Sequence, residues 1–488
     1  MARALPLDID WITCAEPGCL GVVHDPSGRC LAHLDASEFE RALRALRPGG
    51  ALDMRGAVID SALAERLLAA FDDGGRARLG RTRFDHARFT GDARFAGTVF
   101  DRDVSFDHAR FEGLASFFGA RFAGNASFGH ARFARELSFH GATVAGHAAF
   151  DQVIVDRDAL FGEARFQRTA SFRGARFHGF TAFDAARFAR GVSFRGTRFN
   201  RAVSFRKAVF CGAAGFESTR FGAATYLTPA SAGKGLVLTG AHAAAGLELC
   251  AHDCAVDLRS ALVAGPLNLR LTDAEADLEG LVLRGGGTLV GRGRTRLLSL
   301  RRVEARRLMV SGVDLSGCRF AGLRHPEGLS LSGCEFASTP RGVRLGLRWP
   351  YLHWWSPRRV LAEERDWRGW APREHATAGE KHPERLTPEA LSTLYLALRE
   401  TLDDRATADD FAFGAMEVRR TTSRSTGRWL LSAYWLICGY GLRMGRAACW
   451  FVLVTLVAAG SVLSTSASHA ARRPAPPPVY PAPAVPPG

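Results

Sequence analysis

The chain has 488 residues and a formal net charge of +15, from 64 Lys and Arg against 49 Asp and Glu. This length exceeds what one compact core supports and predicts roughly two to four folding units, unless a repeat lets one unit grow in one dimension. The charge favours acidic partners such as nucleic acid, anionic lipid or an acidic protein surface, while the scattering of the 10 cysteines excludes a disulfide scaffold.

Residues 1–35 carry four candidate metal ligands, Cys14, Cys19, Cys30 and His33. Four residues separate the first pair and two residues separate the second pair, with Pro and Gly between them, as a tetrahedral structural Zn²⁺ site requires. His24 is a spare ligand. Because protein groups fill all four positions, the metal would be structural and would not activate a water molecule. The alternative is a set of free thiols and a surface histidine.

Residues 36–83 are predicted to form a helical N-terminal cap and a first coil. Ser37 and Glu40 match a capping box before the helical sequence FERALRAL. The sequence ALDMRGAVID then predicts a first strand and turn, and SALAERLLAAF predicts a helix that covers an open end.

From Phe84 to Phe221 a large apolar residue, usually Phe, returns at alternating steps of five and six, so the period is eleven. A small or β-branched residue stands two positions before nearly every one, and Gly stands two positions after many. Residues at i and i−2 of an extended chain point the same way, which predicts a shared interior, and Gly is expected to form the corners. Very short stacked strands fit this period, whereas a helix or a long amphipathic strand does not.

A small residue at i−2 and a central Phe or Leu resemble the pentapeptide-repeat family. The resemblance implies a mainly β fold, a right-handed four-sided β-helix, here with an eleven-residue double unit and 22 residues per coil. We predict a regular solenoid over 84–229, in which 84–221 would form roughly six coils, and a degenerate continuation over 230–345, where Leu-x-Leu elements replace the Phe centres.

Arg often precedes the central Phe in alternate units, and 22 residues per coil would place these arginines in columns on two opposite faces, with Ser columns on the other two. We interpret the arginines as binding residues. They are Arg88, Arg110, Arg121, Arg132, Arg165, Arg176, Arg187, Arg198 and Arg220. The alternative is a solvated surface balanced by neighbouring acids. Some family members mimic DNA with an acidic surface, and a basic solenoid has the wrong sign for that role.

The C-terminal third is predicted to be helical and membrane-associated. A Trp- and Pro-rich linker is expected over 346–386 and a helical hairpin over 387–426. The end of this hairpin, with Glu417, Arg419 and Arg420, resembles the juxtamembrane element of membrane-bound pentapeptide-repeat proteins. Membrane segments are expected over 427–466 and a Pro-rich disordered tail over 467–488.

Two apolar runs lie in the predicted membrane region. The run 447–463 is long enough to span, whereas 429–441 suits an interfacial or re-entrant helix. Basic residues precede the span, and no signal peptide opens the chain, so a single-pass protein of the inner or plasma membrane with its bulk in the cytoplasm is expected. In the alternative, both runs cross and the tail returns to the cytoplasm.

No phosphate-binding loop, nucleophile elbow or zinc-protease motif is present, so the sequence predicts a non-enzymatic protein. The leading hypothesis is a membrane-anchored scaffold whose basic solenoid binds a protein or anionic lipid. A nucleic-acid binder using the metal module and the basic solenoid is the second hypothesis, and a membrane channel or sensor subunit is the third. Partner, process and oligomeric state stay open.

Overall fold

The computed structural model describes residues 9–24, 28–340, 343–345, 352–354, 357–370, 386–470 and 478–479. The chain divides into two compact units, 1–386 with 397–408, and 387–396 with 409–488. The first unit is a parallel β-solenoid of about twelve turns, and its repeats form a four-sided β-helix, as predicted.

Four parallel sheets form the walls of the solenoid, and we name them A to D in the order in which the chain first visits them after residue 81. Sheet A contains Leu52–Asp53, Thr82–Arg83, Val104–Ser105, Ala126–Ser127, Ala148–Ala149, Ala170–Ser171, Val192–Ser193, Ala214–Gly215, Leu236–Val237, Ala255–Asp257, Glu275–Asp277 and Arg296–Ser299. Sheet B contains Val58–Ile59, Arg88–Phe89, Arg110–Phe111, Arg132–Phe133, Ile154–Val155, Arg176–Phe177, Arg198–Phe199, Arg220–Phe221, His242–Ala243, Leu262–Val263, Val282–Leu283 and Glu304–Ala305. Sheet C contains Ala93–Arg94, Ala115–Ser116, Leu137–Ser138, Ala159–Leu160, Thr181–Ala182, Val203–Ser204, Thr225–Leu227, Leu247–His252, Leu267–Thr272, Gly287–Arg292, Leu308–Ser311 and Leu329–Ser332. Sheet D contains Arg78–Leu79, Val99–Phe100, Arg121–Phe122, Thr143–Val144, Arg165–Phe166, Arg187–Phe188, Val209–Phe210 and Ser231–Ala232.

The core of the regular coils consists of columns of Phe rings. Strands one coil apart pair in register, for example Phe177 with Phe199 and Phe199 with Phe221. Within a column the rings stack, as between Phe106 and Phe128, whose centroids are 4.9 Å apart. Rings of neighbouring columns meet edge to face. Each ring is thus buried by the coils before and after it, which explains why the repeat must be stacked to be stable.

The corners of the coils are of two kinds. Every second corner from 84 to 221 has a residue with positive φ two positions after the buried Phe, and Gly holds only some of these positions, since His86, His108 and His130 also have positive φ. Gly113 stands at the other kind of corner and has no positive φ. A Cβ there would lie 2.5 Å from the backbone of Gly91 one coil earlier. The prediction that Gly forms each corner therefore needs correction, because Gly113 instead allows two coils to approach closely.

The solenoid changes cross-section after residue 232. Sheet D ends at Ser231–Ala232, while three strands of sheet C lengthen to six residues, namely Leu247–His252, Leu267–Thr272 and Gly287–Arg292. Sheets A, B and C therefore form the later coils by themselves. The Leu-x-Leu pairs of the degenerate region, such as Leu267 and Leu269, point into this interior.

The N-terminal end of the solenoid carries helices α1, Ala36–Ala45, and α2, Ser61–Ala70. The N-cap of α1 is Asp35, whose carboxylate accepts hydrogen bonds from the backbone N–H groups of Ser37 and Glu38. The predicted capping box at Ser37 and Glu40 is therefore wrong by two residues, because Asp35 competes successfully for the free N–H groups. Leu67 of α2 is buried.

Helix α3, Ala362–Arg368, closes the other end of the solenoid. The Oε1 atom of Glu363 accepts hydrogen bonds from the backbone N–H groups of Phe320 and Ala321. Fully buried Glu364 pairs at 2.6 Å with both Arg358 and Arg368. Glu363 thus satisfies backbone N–H groups that an open coil would leave unpaired, whereas Glu364 links two arginines of the cap segment itself.

The predicted linker over 346–386 therefore differs from the structure in its described part. Strand Arg359–Val360 pairs antiparallel with Ala337–Ser338, and strand Leu352–Trp354 pairs antiparallel with Val343–Leu345. Helix α3 follows, and Val360 and Leu361 are buried. The Trp- and Pro-rich composition of this segment did not predict a cap, because helix α3 is short and the residues that make its main contacts are charged.

We expect Glu363 to make the stability of this cap depend on pH. Burial raises the pKa of Glu363 above its ordinary value of 4.5, although N–H groups favour the carboxylate. Its contribution is therefore complete below that ordinary pKa and decreases as the pH rises through the raised value. Glu363→Gln keeps the acceptor oxygen and cannot ionise, so it should flatten this dependence, whereas Glu363→Ala should cost about 1–3 kcal/mol.

Denaturant unfolding at acidic and neutral pH measures both effects. Exposed Glu335→Gln is the matched control and should change neither stability nor its pH dependence. If Glu363→Ala were as stable as the unaltered chain, the capping role of Glu363 would be refuted.

The remaining helices are α4, Pro388–Arg399, α5, Arg405–Thr422, α6, Ser425–Cys438, and α7, Met444–Ala470. In the second unit Tyr395 is fully buried and meets Phe411 edge to face, with ring centroids 5.2 Å apart. Of the predicted Pro-rich tail, residues 471–477 and 480–488 lie outside the described residues.

Candidate metal centre and basic surface

Cys14, Cys19, Cys30 and His33 come together, with one ligand atom from each lying within 4.8 Å of all the others. The Nδ1 atom of His33 lies 3.7 Å from Cys14 Sγ and 3.4 Å from Cys30 Sγ. Cys19 Sγ lies 3.8 Å from Cys30 Sγ. The predicted spare ligand, His24, is not in this cluster, and its backbone forms an antiparallel bridge with Arg29.

These spacings fit a tetrahedral metal ion. If bonds to sulfur are about 2.3 Å and the bond to nitrogen is about 2.0 Å, ligand atoms at tetrahedral angles lie about 3.5–3.8 Å apart. Backbone N–H groups of Gly21 and Cys30 donate at 3.3 Å to Cys19 Sγ and Cys14 Sγ. Gly21 is required here because a Cβ on it would lie 2.8 Å from Cys30 Sγ. The cluster can therefore hold a metal ion.

The three thiol groups of the cluster could all be deprotonated only with a cation beside them. Burial and, after it, the charge of the neighbouring Cys19 thiolate raise the pKa of the Cys30 thiol to about 12. Burial also raises the pKa of Cys14, but hydrogen bonds from the backbone and from His33 outweigh it and bring this pKa down to about 7. Three thiolates this close together repel one another unless a cation lies between them.

The metal module packs against the first coil of the solenoid. The Val22 N–H donates to the Arg55 carbonyl at 2.8 Å, and the Arg55 guanidinium lies 4.8 Å from the centre of the Trp11 ring. A Cβ on Gly56 would meet the carbonyl oxygen of Leu20 at 2.2 Å. The backbone around Leu20 and Val22 therefore packs directly against the first coil.

The nine predicted arginines lie on sheets B and D, which are opposite walls, as expected. Sheet B carries Arg88, Arg110, Arg132, Arg176, Arg198 and Arg220, and sheet D carries Arg121, Arg165 and Arg187. All nine side chains are exposed. Of these nine arginines, only Arg88 and Arg132 form an ion pair with another described residue, at 2.6 Å with Glu112 and 3.0 Å with Asp156.

The Ser columns lie on sheets A and C, but several of their hydroxyl groups are already bonded. Ser127 donates to Asp107 at 2.6 Å, and Ser105, Ser171 and Ser204 donate in the same way to Asp85, Asp151 and Asp184. Each acceptor lies one coil earlier in the chain. These serines therefore link successive coils and present less hydrogen-bonding capacity to a partner than the sequence suggests.

In the second unit, Glu417 and Arg420 of α5 form an ion pair at 2.6 Å, and Tyr440 donates to Glu417 at 3.2 Å. Helix α7 contains the stretch Gly445–Val462, which is long and apolar enough to cross a membrane and of which no part is buried. Helix α6 exposes Trp429, Leu430 and other apolar residues. Its 14 residues extend only about 21 Å, too short for a straight span of about 30 Å.

The family model described as Pentapeptide repeats (9 copies) matches the chain at residues 75–121, 95–143 and 161–209. The chain contains pentapeptide repeats. None of the curated proteins compared with the chain matches it significantly. The matched residues cover coils in which the Phe columns are continuous, and the pentapeptide-repeat coils themselves extend to both sides of the matches.

Within the pentapeptide repeats the charge is unevenly distributed, which the column pattern alone did not reveal. Residues 84–168 contain 10 Lys and Arg against 11 Asp and Glu, whereas residues 169–221 contain 10 against 2. Counting charge coil by coil would have found this difference from the sequence. Glu363 and Glu364 of the C-terminal cap were also missed, because neither belongs to a repeat or a recognisable motif.

Proposed function

We propose that this chain is a non-enzymatic scaffold, anchored to a membrane by α7, whose basic pentapeptide-repeat solenoid binds an anionic partner in the cytoplasm. The observation that supports anchoring is the apolar stretch Gly445–Val462, no residue of which is buried. Exposing such a stretch to water is unfavourable, and a bilayer removes that cost. The partner is a protein or anionic lipid, since seven of the nine column arginines have no ion pair within the described part of the chain.

The membrane in this proposal is the inner membrane or the plasma membrane of the cell, crossed once. Arg419, Arg424 and Arg428 precede α7, and basic residues favour the cytoplasmic side. Helix α6 then lies in the interface, where Trp429 and Tyr434 suit the headgroup region.

We also propose that the bound metal is zinc and that its role is structural. Three sulfur ligands and one imidazole are a common zinc donor set, and no coordination position is left for a reactive water. The module then stabilises the first coil, which its backbone contacts.

Flotation of the full chain with neutral-lipid vesicles tests the anchor. The unaltered chain should float, and a chain ending at Thr426 should stay in the soluble fraction. Val454→Arg with Val457→Arg should also abolish flotation, since each arginine at the centre of a span costs about 2.5–3.5 kcal/mol.

Both valines are exposed, so this double variant should leave the fold intact. Met309→Arg, an exposed apolar position on the solenoid, is the control and should float normally. A double variant that floats as well as the unaltered chain would disprove anchoring by α7.

One arrangement favours a nucleic-acid binder as a second candidate. Arg176, Arg198 and Arg220 occupy successive strands of sheet B, and Arg forks suit phosphate groups. Salt-sensitive retention of the Thr426-terminated chain on a DNA column, together with failure of the full chain to float, would support it.

A further inference from the structure

Within the regular repeat, 84–221, the excess positive charge lies in the last coils. Residues 169–221 contain 10 basic and 2 acidic residues, while the preceding coils, 84–168, are almost neutral with 10 basic and 11 acidic residues. Ion pairs follow the same division. Arg88 and Arg132 in the neutral coils are paired, whereas none of the ten basic residues of 169–221 forms an ion pair among the described residues.

Six of these arginines lie on one side of the solenoid, which we call the basic face. Three occupy successive strands of sheet B, two lie at the corner before sheet B, and one lies at the corner after it. They are Arg176, Arg198 and Arg220, then Arg173 and Arg195, then Arg201. All six side chains are exposed. Strands in register place equivalent guanidinium groups about 4.8 Å apart, where like charges repel.

The two acidic residues of 169–221 do not neutralise the basic face. Asp184 lies at the corner between sheets C and D and accepts hydrogen bonds from Ser204 and from the backbone N–H of Arg206. Glu217 lies one coil beyond Arg195 in the same corner column. Its carboxylate folds next to Gly215 and forms no ion pair among the described residues.

A flat, anionic surface fits this arrangement best. The basic face consists of one wall of the solenoid and the corners on either side, so all six arginines can approach one plane together. Phe180 is 39% exposed in the same coils, at the corner after sheet B. An exposed aromatic ring beside several basic residues suits the interface of a bilayer, where the ring enters the headgroup region.

We propose that the basic face, Arg173, Arg176, Arg195, Arg198, Arg201 and Arg220 with Phe180, docks on the anionic lipid headgroups of a membrane. This inference rests on the proposed function, because a membrane anchor supplies the surface at high local concentration. Each Arg near an anionic leaflet contributes about a fivefold factor in binding. Six such residues are therefore sufficient for docking of a chain that is already tethered.

Arginine footprinting with phenylglyoxal and mass spectrometry tests the proposal on the full chain. The chain is reconstituted in bilayer discs of phosphatidylcholine alone, or with about one third phosphatidylserine to provide a negative surface potential. In the anionic discs at low salt the six arginines should react several times more slowly. Arg121, Arg165 and Arg187 are internal controls on sheet D, the opposite wall, and should react equally in both discs.

A triple variant provides the matched control. Arg176→Gln, Arg198→Gln and Arg220→Gln together should weaken docking about 100-fold and remove the protection of Arg173, Arg195 and Arg201. The corresponding triple variant at Arg121, Arg165 and Arg187 of sheet D should keep that protection. Equal reactivity of the basic face in both kinds of disc would overturn the proposal, as would protection by a DNA duplex in neutral discs without protection in anionic discs.

Failure of the proposed anchor gives a different result. A chain without an anchor would not float with neutral vesicles at high salt, whatever its arginines do. Docking by the basic face would then appear as salt-reversible sedimentation with phosphatidylserine vesicles, lost in the Arg176, Arg198 and Arg220 variant. Absence of such sedimentation would overturn docking independently.

Discussion

Replacing Phe117 with Ala should destabilise the solenoid by about 3–5 kcal/mol, as expected for removing a buried aromatic ring. Phe117 is fully buried. It stacks on Phe95 and Phe139 in the coils on either side, with ring centroids 5.2 Å and 4.7 Å away. It also meets Phe106 and Phe128 edge to face. Its removal therefore leaves a cavity that touches three coils and that short strands between fixed corners cannot close.

The neighbouring residue provides the control. Phe118 has the same side chain but is 56% exposed and makes one ring contact, with His140 at 5.6 Å. Phe118→Ala should change stability by about 0.5 kcal/mol or less. The two variants are compared by denaturant unfolding and by hydrogen exchange of the peptides around residue 117. Because coils stabilise mainly their neighbours, exchange should increase most in the adjacent coils.

Equal effects of the two substitutions would contradict the register of the repeat, because they would mean that Phe117 and Phe118 are equally buried. A one-residue shift would move every Phe of the affected strand to the surface. This pair of variants thus tests the assignment on which the positions of all column residues depend.

The repeat could be predicted from the sequence because one physical constraint acts at every unit. Each Phe, such as Phe128, must contact its equivalents one coil away. The same residue pattern therefore recurs in every coil, and a position that broke the pattern would be noticed. The number of residues per coil likewise predicts that Arg110 and Arg121 lie on opposite walls. The clustering of Cys14, Cys19, Cys30 and His33 was also predictable, since their spacing is typical of residues that surround one point.

Other features depend on contacts that leave no periodic trace. Glu363 caps the last coil by reaching the backbone of Phe320, a residue 43 positions away. The loss of sheet D after Ser231–Ala232 depends on how neighbouring coils fill their shared interior. Leu-x-Leu pairs fit a solenoid with three walls as well as one with four, so the sequence pattern does not distinguish them. The corner histidines, such as His86, adopt positive φ because the stacked strands on both sides impose the turn, although positive φ is uncommon for residues other than glycine.

Replacing Cys30 with Ser should remove the bound metal and unfold the N-terminal module while leaving the pentapeptide-repeat coils folded. Cys30 is buried beside Cys19 and His33, so its loss breaks the coordination shell at its centre. Structural zinc contributes about 10–16 kcal/mol to the folding of small zinc peptides, and the short module has little other core. Metal analysis of the purified chain should give about one zinc per chain before the substitution and almost none after it.

The consequence should extend to the first coil but no further. Val22 and Arg55 share a backbone hydrogen bond, so hydrogen exchange should rise around residues 52–59, whereas the coils beyond residue 84 stay protected. Cys211→Ser, at an exposed cysteine in the regular coils, is the control and should keep both the metal and the protection. A Cys30→Ser chain with full metal content would refute the assigned ligands. An unaltered chain without metal, whose Cys14, Cys19 and Cys30 react freely with thiol reagents, would show that the cluster is a set of free thiols.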